Sequence, residues 1–184
     1  MSKQIGHDIR ALRRARGATL KELSTAVRRS VGWLSQIERS ETTPSVRDLG
    51  LLAEHLGVNI SLFFRSASRN PEERGLVLRV EDRVPIGSSE SGLTEELLSP
   101  TLGGSFEMIK STFAAKSDSG GPKHAQSRED GGMLISGRLT LIVDNLEVNL
   151  GPGDSFQFSG AEYAWRNSGD EPAVAIWVIS PPVY

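Results

Sequence analysis

The chain has 184 residues, a formal net charge of -2, 38% hydrophobic and 24% charged residues. It has no cysteine, which excludes a disulfide framework and any thiolate metal site. The N-terminal stretch MSKQIGHDIRALRRARG lacks the apolar core of a signal peptide, and the longest apolar run, AVAIWVI at 173–179, is far below the roughly 18 residues of a membrane span. These features point to a cytoplasmic protein with no membrane partner. Charge is divided unevenly. Residues 1–74 carry 13 Lys and Arg against 8 Asp and Glu, whereas residues 75–184 carry 8 against 15. Such a split predicts two domains with different partners, the basic one suited to nucleic acid.

The first half reads as helices. Ile5, Ile9 and Leu12 recur at helical spacing, and Gly17 closes the pattern. Thr19 with Glu22 is a capping box that opens a second helix, whose apolar stripe is Leu20, Leu23 and Val27. Ser30 caps a third helix, with Leu34 and Ile37 inward. Ser45 and Asp48 open a fourth, which buries Val46, Leu49, Leu52, Ala53 and Leu56 before Gly57. A short fifth helix in NISLFF adds Leu62, Phe63 and Phe64 to the core. Residues 1–64 thus form one domain, and the polar stretch RSASRNPEERG (65–75), with Pro71 and Gly75, reads as a linker.

From residue 76 to 184 the period changes to two. SFEMIKSTF, GGMLISG, DSFQF and AVAIWVI are strand candidates, and LTLIV and LEVNL form a hairpin across Asp144-Asn145. SGLTEELLSP (91–100) is either a short helix or an edge segment. Short strands between Gly, Pro and Asp turns predict an antiparallel barrel or sandwich. The fold class expected is an all-α helix-turn-helix bundle followed by an all-β barrel.

Two helices joined across a few residues, the second capped by Ser30, make a helix-turn-helix candidate for double-stranded DNA. A recognition helix places its N-terminal residues at base edges in the major groove. Here those residues are Val31, Gly32, Trp33 and Gln36. Gln36 can pair with adenine, Val31 or Trp33 can touch a thymine methyl, and Gly32 allows close backbone approach. Arg28, Arg29 and Arg39 flank the helix where phosphates would run, and Thr19, Lys21, Ser35 and Thr43 are further phosphate candidates.

The stretch TLKELSTAVRRSVGWLSQIERSETTPSVRDLGLLAEHLGVNISLFF resembles the phage-repressor-like (XRE-type) helix-turn-helix family of bacterial transcriptional regulators, and the likeness covers most of residues 5–64. That family usually has glycine in the turn and a hydrophobe beside it, where this chain has Arg28 and Arg29. The resemblance therefore implies a positive φ at Arg28. Ser40 likewise replaces the usual glycine after the Glu38-Arg39 pair.

Residues 76–184 resemble a cupin, jelly-roll-like domain, as in regulators that join a repressor-like domain to a cupin. The likeness rests on GGPKHAQSREDGGMLISGRL and LGPGDSFQFSGAEYAWRNSGDEP. Metal-binding cupins use two histidines, a glutamate and a later histidine. On this pattern His124 keeps the first position and Gln126 replaces the second histidine. Asp130 takes the glutamate's place, with six residues between it and Gly137. The last histidine falls on Tyr163 or Ala164. That donor set is poor for a firm metal site. The resemblance thus implies a regulator, a repressor rather than an activator, with no metal, no cofactor and no catalysis. Its cupin would sense a small-molecule effector, an amine or amino acid, and hold a homodimer on the operator. Effector-lining candidates are Met108, His124, Gln126, Asp130, Met133, Tyr163, Trp165, Arg166 and Trp177, with Met133 and Trp177 equally readable as core. The alternatives are a cupin that only dimerises and a metal-dependent cupin enzyme.

Overall fold

In the computed structural model, residues 2–64, 71–73, 75–86, 91–102, 104–124 and 128–182 are described. The chain divides into two compact units. One comprises residues 1–84 with the segments 99–105 and 182–184; the other comprises residues 85–98 and 106–181.

The helical unit contains α1 (Ser2–Ala15), α2 (Leu20–Ala26), α3 (Val31–Glu38) and α4 (Val46–His55). Thr19, Ser30 and Ser45 cap α2, α3 and α4, and the Thr19–Glu22 and Ser45–Asp48 capping boxes are both formed. Ile5, Ile9, Leu12, Leu23, Val27, Leu34, Ile37, Leu49, Leu52, Ala53 and Leu56 make its core, as their spacing predicts. Two expectations fail. Val46 is 67% exposed, because as the first residue of α4 it precedes the buried stripe. The fifth helix is a single 3-10 turn, Ile60–Phe63, which buries Leu62 and Phe63 and leaves Phe64 exposed.

All four α-helices stop in the same way. At the end of α2 the Arg29 N–H reaches the Ser24 carbonyl at 2.8 Å and the Arg28 N–H reaches that of Thr25 at 3.0 Å. These are the paired bonds of a Schellman motif, which needs one residue in the left-handed region. Gly17 and Gly57 fill that position after α1 and α4. Arg28 (φ 55°) and Ser40 (φ 61°) fill it after α2 and α3. The turn geometry is kept without glycine, at a steric cost.

A buried ion pair fixes α3 against α1. Arg13 donates from Nε to Glu38 Oε1 (2.6 Å) and from Nη2 to Oε2 (2.8 Å), and its Nη1 donates to the Ala18 carbonyl (2.8 Å). The hydrogen bonding of Arg13 to Glu38 holds the Arg13 pKa above its ordinary value. Gly6 lets the two helices approach closely, since a Cβ there would meet the Ile37 carbonyl oxygen at 2.1 Å.

The β unit consists of two antiparallel sheets. Its strands are β1 (Pro85–Ile86), β2 (Leu93–Leu97), β3 (Glu107–Phe113), β4 (Ser117–Asp118), β5 (Lys123–His124), β6 (Glu129–Ser136), β7 (Leu139–Val143), β8 (Leu146–Leu150), β9 (Ser155–Ser159), β10 (Glu162–Asn167) and β11 (Ala173–Ser180). One sheet has the order β1-β2-β3-β11-β6-β9. The other has the order β4-β10-β7-β8, with β5 also pairing β10. No described sheet closes on itself as a barrel would. The segment 91–100 is neither helix nor outermost edge: β2 lies between β1 and β3. Asp144 and Asn145 both have positive φ, as a two-residue turn between β7 and β8 requires.

Alternation sets the inner faces. Glu107, Ile109, Ser111 and Phe113 of β3 are buried, as are Ala173, Ala175, Trp177 and Ile179 of β11. Phe113 meets Trp165 edge-to-face at 4.7 Å, and Tyr163 lies 5.9 Å from Trp177, so aromatic contacts join the two sheets. Buried Asn167 donates to the carbonyls of Phe113, Ala114 and Glu171 and accepts from Gly169, tying β10 to its neighbouring loops.

Two stability outcomes follow from the helical unit. Arg28→Gly relieves the left-handed conformation and should stabilise the protein by about 0.5–1 kcal/mol. Glu38→Ala leaves the Arg13 guanidinium buried without its partner and should cost about 3–5 kcal/mol. Urea unfolding of each variant measures both.

Candidate nucleic-acid interface and effector site

The inner face of α3 is sealed by Leu34, Ile37 and Glu38. Its outer face is therefore decided: Val31, Gly32 and Gln36 are exposed and Trp33 is half-buried. Ser30 Oγ accepts the Trp33 N–H at 3.1 Å and holds the first turn of the helix in place. The residues expected at base edges thus share one accessible surface.

The flanking polar residues have different local roles. Arg28, Lys21 and Thr43 are exposed. Thr19 is also exposed, but its hydroxyl donates to Glu22 Oε2 and accepts the Glu22 N–H within the cap. Arg39 donates to both Glu41 oxygens (2.7 and 2.9 Å) and to Ser35 Oγ. That hydrogen bonding raises the Arg39 pKa and lowers that of Glu41. Arg29 pairs with Asp48 at 2.7 Å, and its guanidinium carbon lies 5.3 Å from the centre of the Trp33 ring. Burial pushes the Asp48 carboxyl up, but hydrogen bonds from Ser45 and Arg29 outweigh it and leave the pKa below its ordinary value.

The β unit has a polar cluster on its inner faces. Asp130 on β6 is fully buried; its Oδ2 accepts Arg128 Nε at 3.1 Å, while its Oδ1 has no partner among the described residues. Glu95 on β2 accepts the Ser111 hydroxyl at 3.1 Å. Tyr163 on β10 is half-buried, and its phenol is pushed up first by burial, with Arg128, Asp130 and Glu95 all acting on it electrostatically. Trp177 and Trp165 each bury an Nε1 with no partner among the described residues. Burial also raises the pKa of Asp130, against the pull of Arg128, and that of Glu95, against the Ser111 hydrogen bond.

Asp130, Tyr163, Trp165 and Trp177 therefore lie on inner faces as expected. Met108, Met133 and Arg166 do not. In β6 the inward positions are Asp130, Gly132 and Leu134, so Met133 points outward and is exposed. Met108 lies between inward Glu107 and Ile109, and Arg166 points outward to Glu147 at 2.8 Å. Gln126 and the side chain of His124 lie outside the described residues. Glu95, Ser111 and Arg128 were missed by sequence reasoning. Leu93, Glu95 and Leu97 share one face of a strand, a signal that was available once LTEEL is read at period two.

Among the described residues, no group of three or more His, Cys, Asp or Glu side chains is placed to hold a metal ion. The described donors are too few for one, and Asp130 already spends one carboxylate oxygen on Arg128.

Residues 4–62 match the helix-turn-helix domain family, and residues 112–179 match the cupin domain family. The two matches define the class: the chain joins an N-terminal helix-turn-helix domain to a C-terminal cupin domain. It is 26% identical over 178 residues to the HTH-type transcriptional regulator SutR of Escherichia coli (strain K12), covering 93% of this chain and 91% of that protein. Among solved structures, an HTH_3 family transcriptional regulator from Vibrio cholerae is 21% identical, with 98% and 97% of the two chains covered and a TM-score of 0.47. The cupin domain of an XRE family transcriptional regulator from Enterobacter cloacae is 24% identical, with 50% of this chain and 98% of that one covered and a TM-score of 0.45. Among the described residues, no helix is long and apolar enough to cross a membrane.

The raised Glu95 pKa has a direct consequence for stability. Folded Glu95 holds its proton to higher pH than the unfolded chain does. Stability therefore falls as pH climbs from the ordinary glutamate value of about 4.3 to the raised one, and stays reduced above it. Glu95→Gln removes that penalty and keeps an acceptor for Ser111. The variant should be more stable than the parent at pH 7, and the gain should vanish below about pH 4. Thermal unfolding across pH measures the difference.

Proposed function

We propose that the chain is a sequence-specific transcriptional regulator, acting in the cytoplasm as a repressor, whose α3 reads the major groove of an operator and whose cupin domain binds a small organic effector. The observation that carries the DNA reading is the capped first turn of α3, with Val31, Gly32, Trp33 and Gln36 on one accessible face. Gln36 supplies a donor and an acceptor for adenine, Trp33 and Val31 supply apolar contact to thymine methyls, and Arg28 and Lys21 supply charge for phosphates.

On this reading the two sheets are the halves of a cupin jelly roll, and the effector lies against Asp130. A fully buried carboxylate oxygen without a partner is expensive unless something donates to it. Glu95, Asp130 and Arg128 all act on Tyr163 from this space, and an ammonium group on the ligand can donate to the open Asp130 oxygen. The Trp177 Nε1–H offers a donor to a carbonyl or carboxylate. An amine or amino-acid-like effector suits both groups. The regulator acts as a homodimer on two half-sites. Its contact is the outer face of the six-stranded sheet, where Met133, Ile135 and Val178 are exposed beside a groove of about 540 Å³ that includes Gly131 and Gly132.

Two measurements test this. Duplexes recovered from a random library should bind the parent tightly. Gln36→Ala should lose about 1–3 kcal/mol of discrimination at one base pair, and Arg28→Ala should weaken all duplexes alike and lower the salt slope by about 0.9. Unchanged selectivity and slope in both variants would refute the docking. For the effector, a thermal-shift screen of amines and amino acids should find a stabilising compound whose effect Asp130→Asn removes. Stoichiometric metal in the purified protein, with DNA binding lost to chelator, would instead make the cupin domain a metal site.

A further inference from the structure

We propose that Arg29 is a positioning residue that fixes the Trp33 indole on the DNA-reading face and does not clamp a phosphate. The inference rests on α3 reading DNA, and it concerns how one side chain of that surface is oriented.

Arg29 follows left-handed Arg28 at the end of α2. In a Schellman motif this position commonly carries an apolar side chain that folds back on the helix. Here its Nε and Nη2 both donate to the same Asp48 oxygen, Oδ1, at 3.0 and 2.7 Å. The other oxygen of Asp48 is committed elsewhere. Oδ2 accepts the Ser45 hydroxyl at 2.6 Å and the Ser45 N–H at 3.3 Å, closing the cap of α4. Asp48 is nearly buried and anchored by its own helix, so it cannot follow Arg29 outward.

The guanidinium is thus held in place, and Trp33 stacks near it. Trp33 is the third residue of α3, with its backbone fixed by Ser30. Its two side-chain torsions are what remain free, and attraction between a cation and the indole face narrows them. The chain Ser45–Asp48–Arg29–Trp33 therefore transmits the rigid start of α4 to an aromatic ring on the reading face. A phosphate that drew the Nε and Nη2 donors of Arg29 away would strip Asp48 of its counter-ion and leave a nearly buried carboxylate unpaired. The charge of Arg29 is already balanced, so it adds little to the counterion release that drives DNA affinity.

The test uses the full-length protein, a duplex selected from a random library and an unrelated duplex of equal length, across a salt series. Arg29→Lys keeps the charge but loses the planar fork. It should reduce the ratio of selected to unrelated affinity roughly three- to tenfold while leaving the salt slope unchanged. In a Trp33→Ala background the same change should have no further effect on that ratio. Asp48→Asn keeps an acceptor for Ser45 and frees the charge of Arg29. It should lower selectivity, strengthen binding to the unrelated duplex and steepen the salt slope by up to about 0.9. The last variant carries the test if Arg29→Lys does not fold. Equal losses on both duplexes in Arg29→Ala, with the slope reduced by about 0.9, would show a phosphate clamp and overturn the proposal. Additive effects of Arg29→Lys and Trp33→Ala would also overturn it. Selectivity retained in Arg29→Lys overturns this inference alone, whereas a parent with no duplex preference overturns the DNA reading as well.

Discussion

The bidentate pair between Arg13 and Glu38 decides what α3 can show. Both side chains lie between α1 and α3, and each satisfies the other with two short hydrogen bonds. Burying either alone would be costly, so α3 cannot rotate about its axis without breaking the pair. With Glu38, Ile37 and Leu34 committed inward, the accessible face follows from the 3.6-residue period. The accessible face of α3 is the side left over once α1 has taken the other.

The helix ends complete that constraint. Four Schellman turns give the short connections of the bundle their direction, yet only two use glycine. Arg28 accepts a strained backbone, and its neighbour Arg29 occupies a position suited to a hydrophobe. The pairing of Arg29 with Asp48 compensates by joining the α2–α3 corner to the cap of α4. Asp48 therefore serves two elements at once, and the corner is held by a directional polar contact where packing alone would be less specific about side-chain orientation.

In the β unit the polar groups face a different problem. Asp130 and Glu95 lie on inner faces among Phe113, Phe158, Tyr163 and Trp177, where desolvation opposes charge. Arg128 offsets part of that cost but leaves Asp130 Oδ1 unmatched among the described residues. Sites that retain such a mismatch generally do so for binding or chemistry. Strand alternation separates this interior from the apolar outer face around Met133 and Val178, so one sheet presents two distinct surfaces.

The sequence by itself determined the helices, their caps, the buried stripes and most strands, because these depend on local periodicity and on hydrogen bonds spanning three or four residues. Thr19–Glu22, Ser45–Asp48 and Asp144-Asn145 are of this kind. It also placed Gln36 and Trp33 away from the buried stripe of α3, since helical spacing turns Leu34 and Ile37 inward. Only the tertiary structure decided which distant partners meet. Nothing local pairs Arg29 with Asp48, 19 residues away, or brings Ser111 to Glu95, 16 residues away. The outward turn of Met133 and Arg166 was likewise hidden, because a strand's inner face is fixed by register with its neighbours: β6 aligns Asp130 with Ile179 and Phe158, and a shift of one residue would have exchanged the two faces.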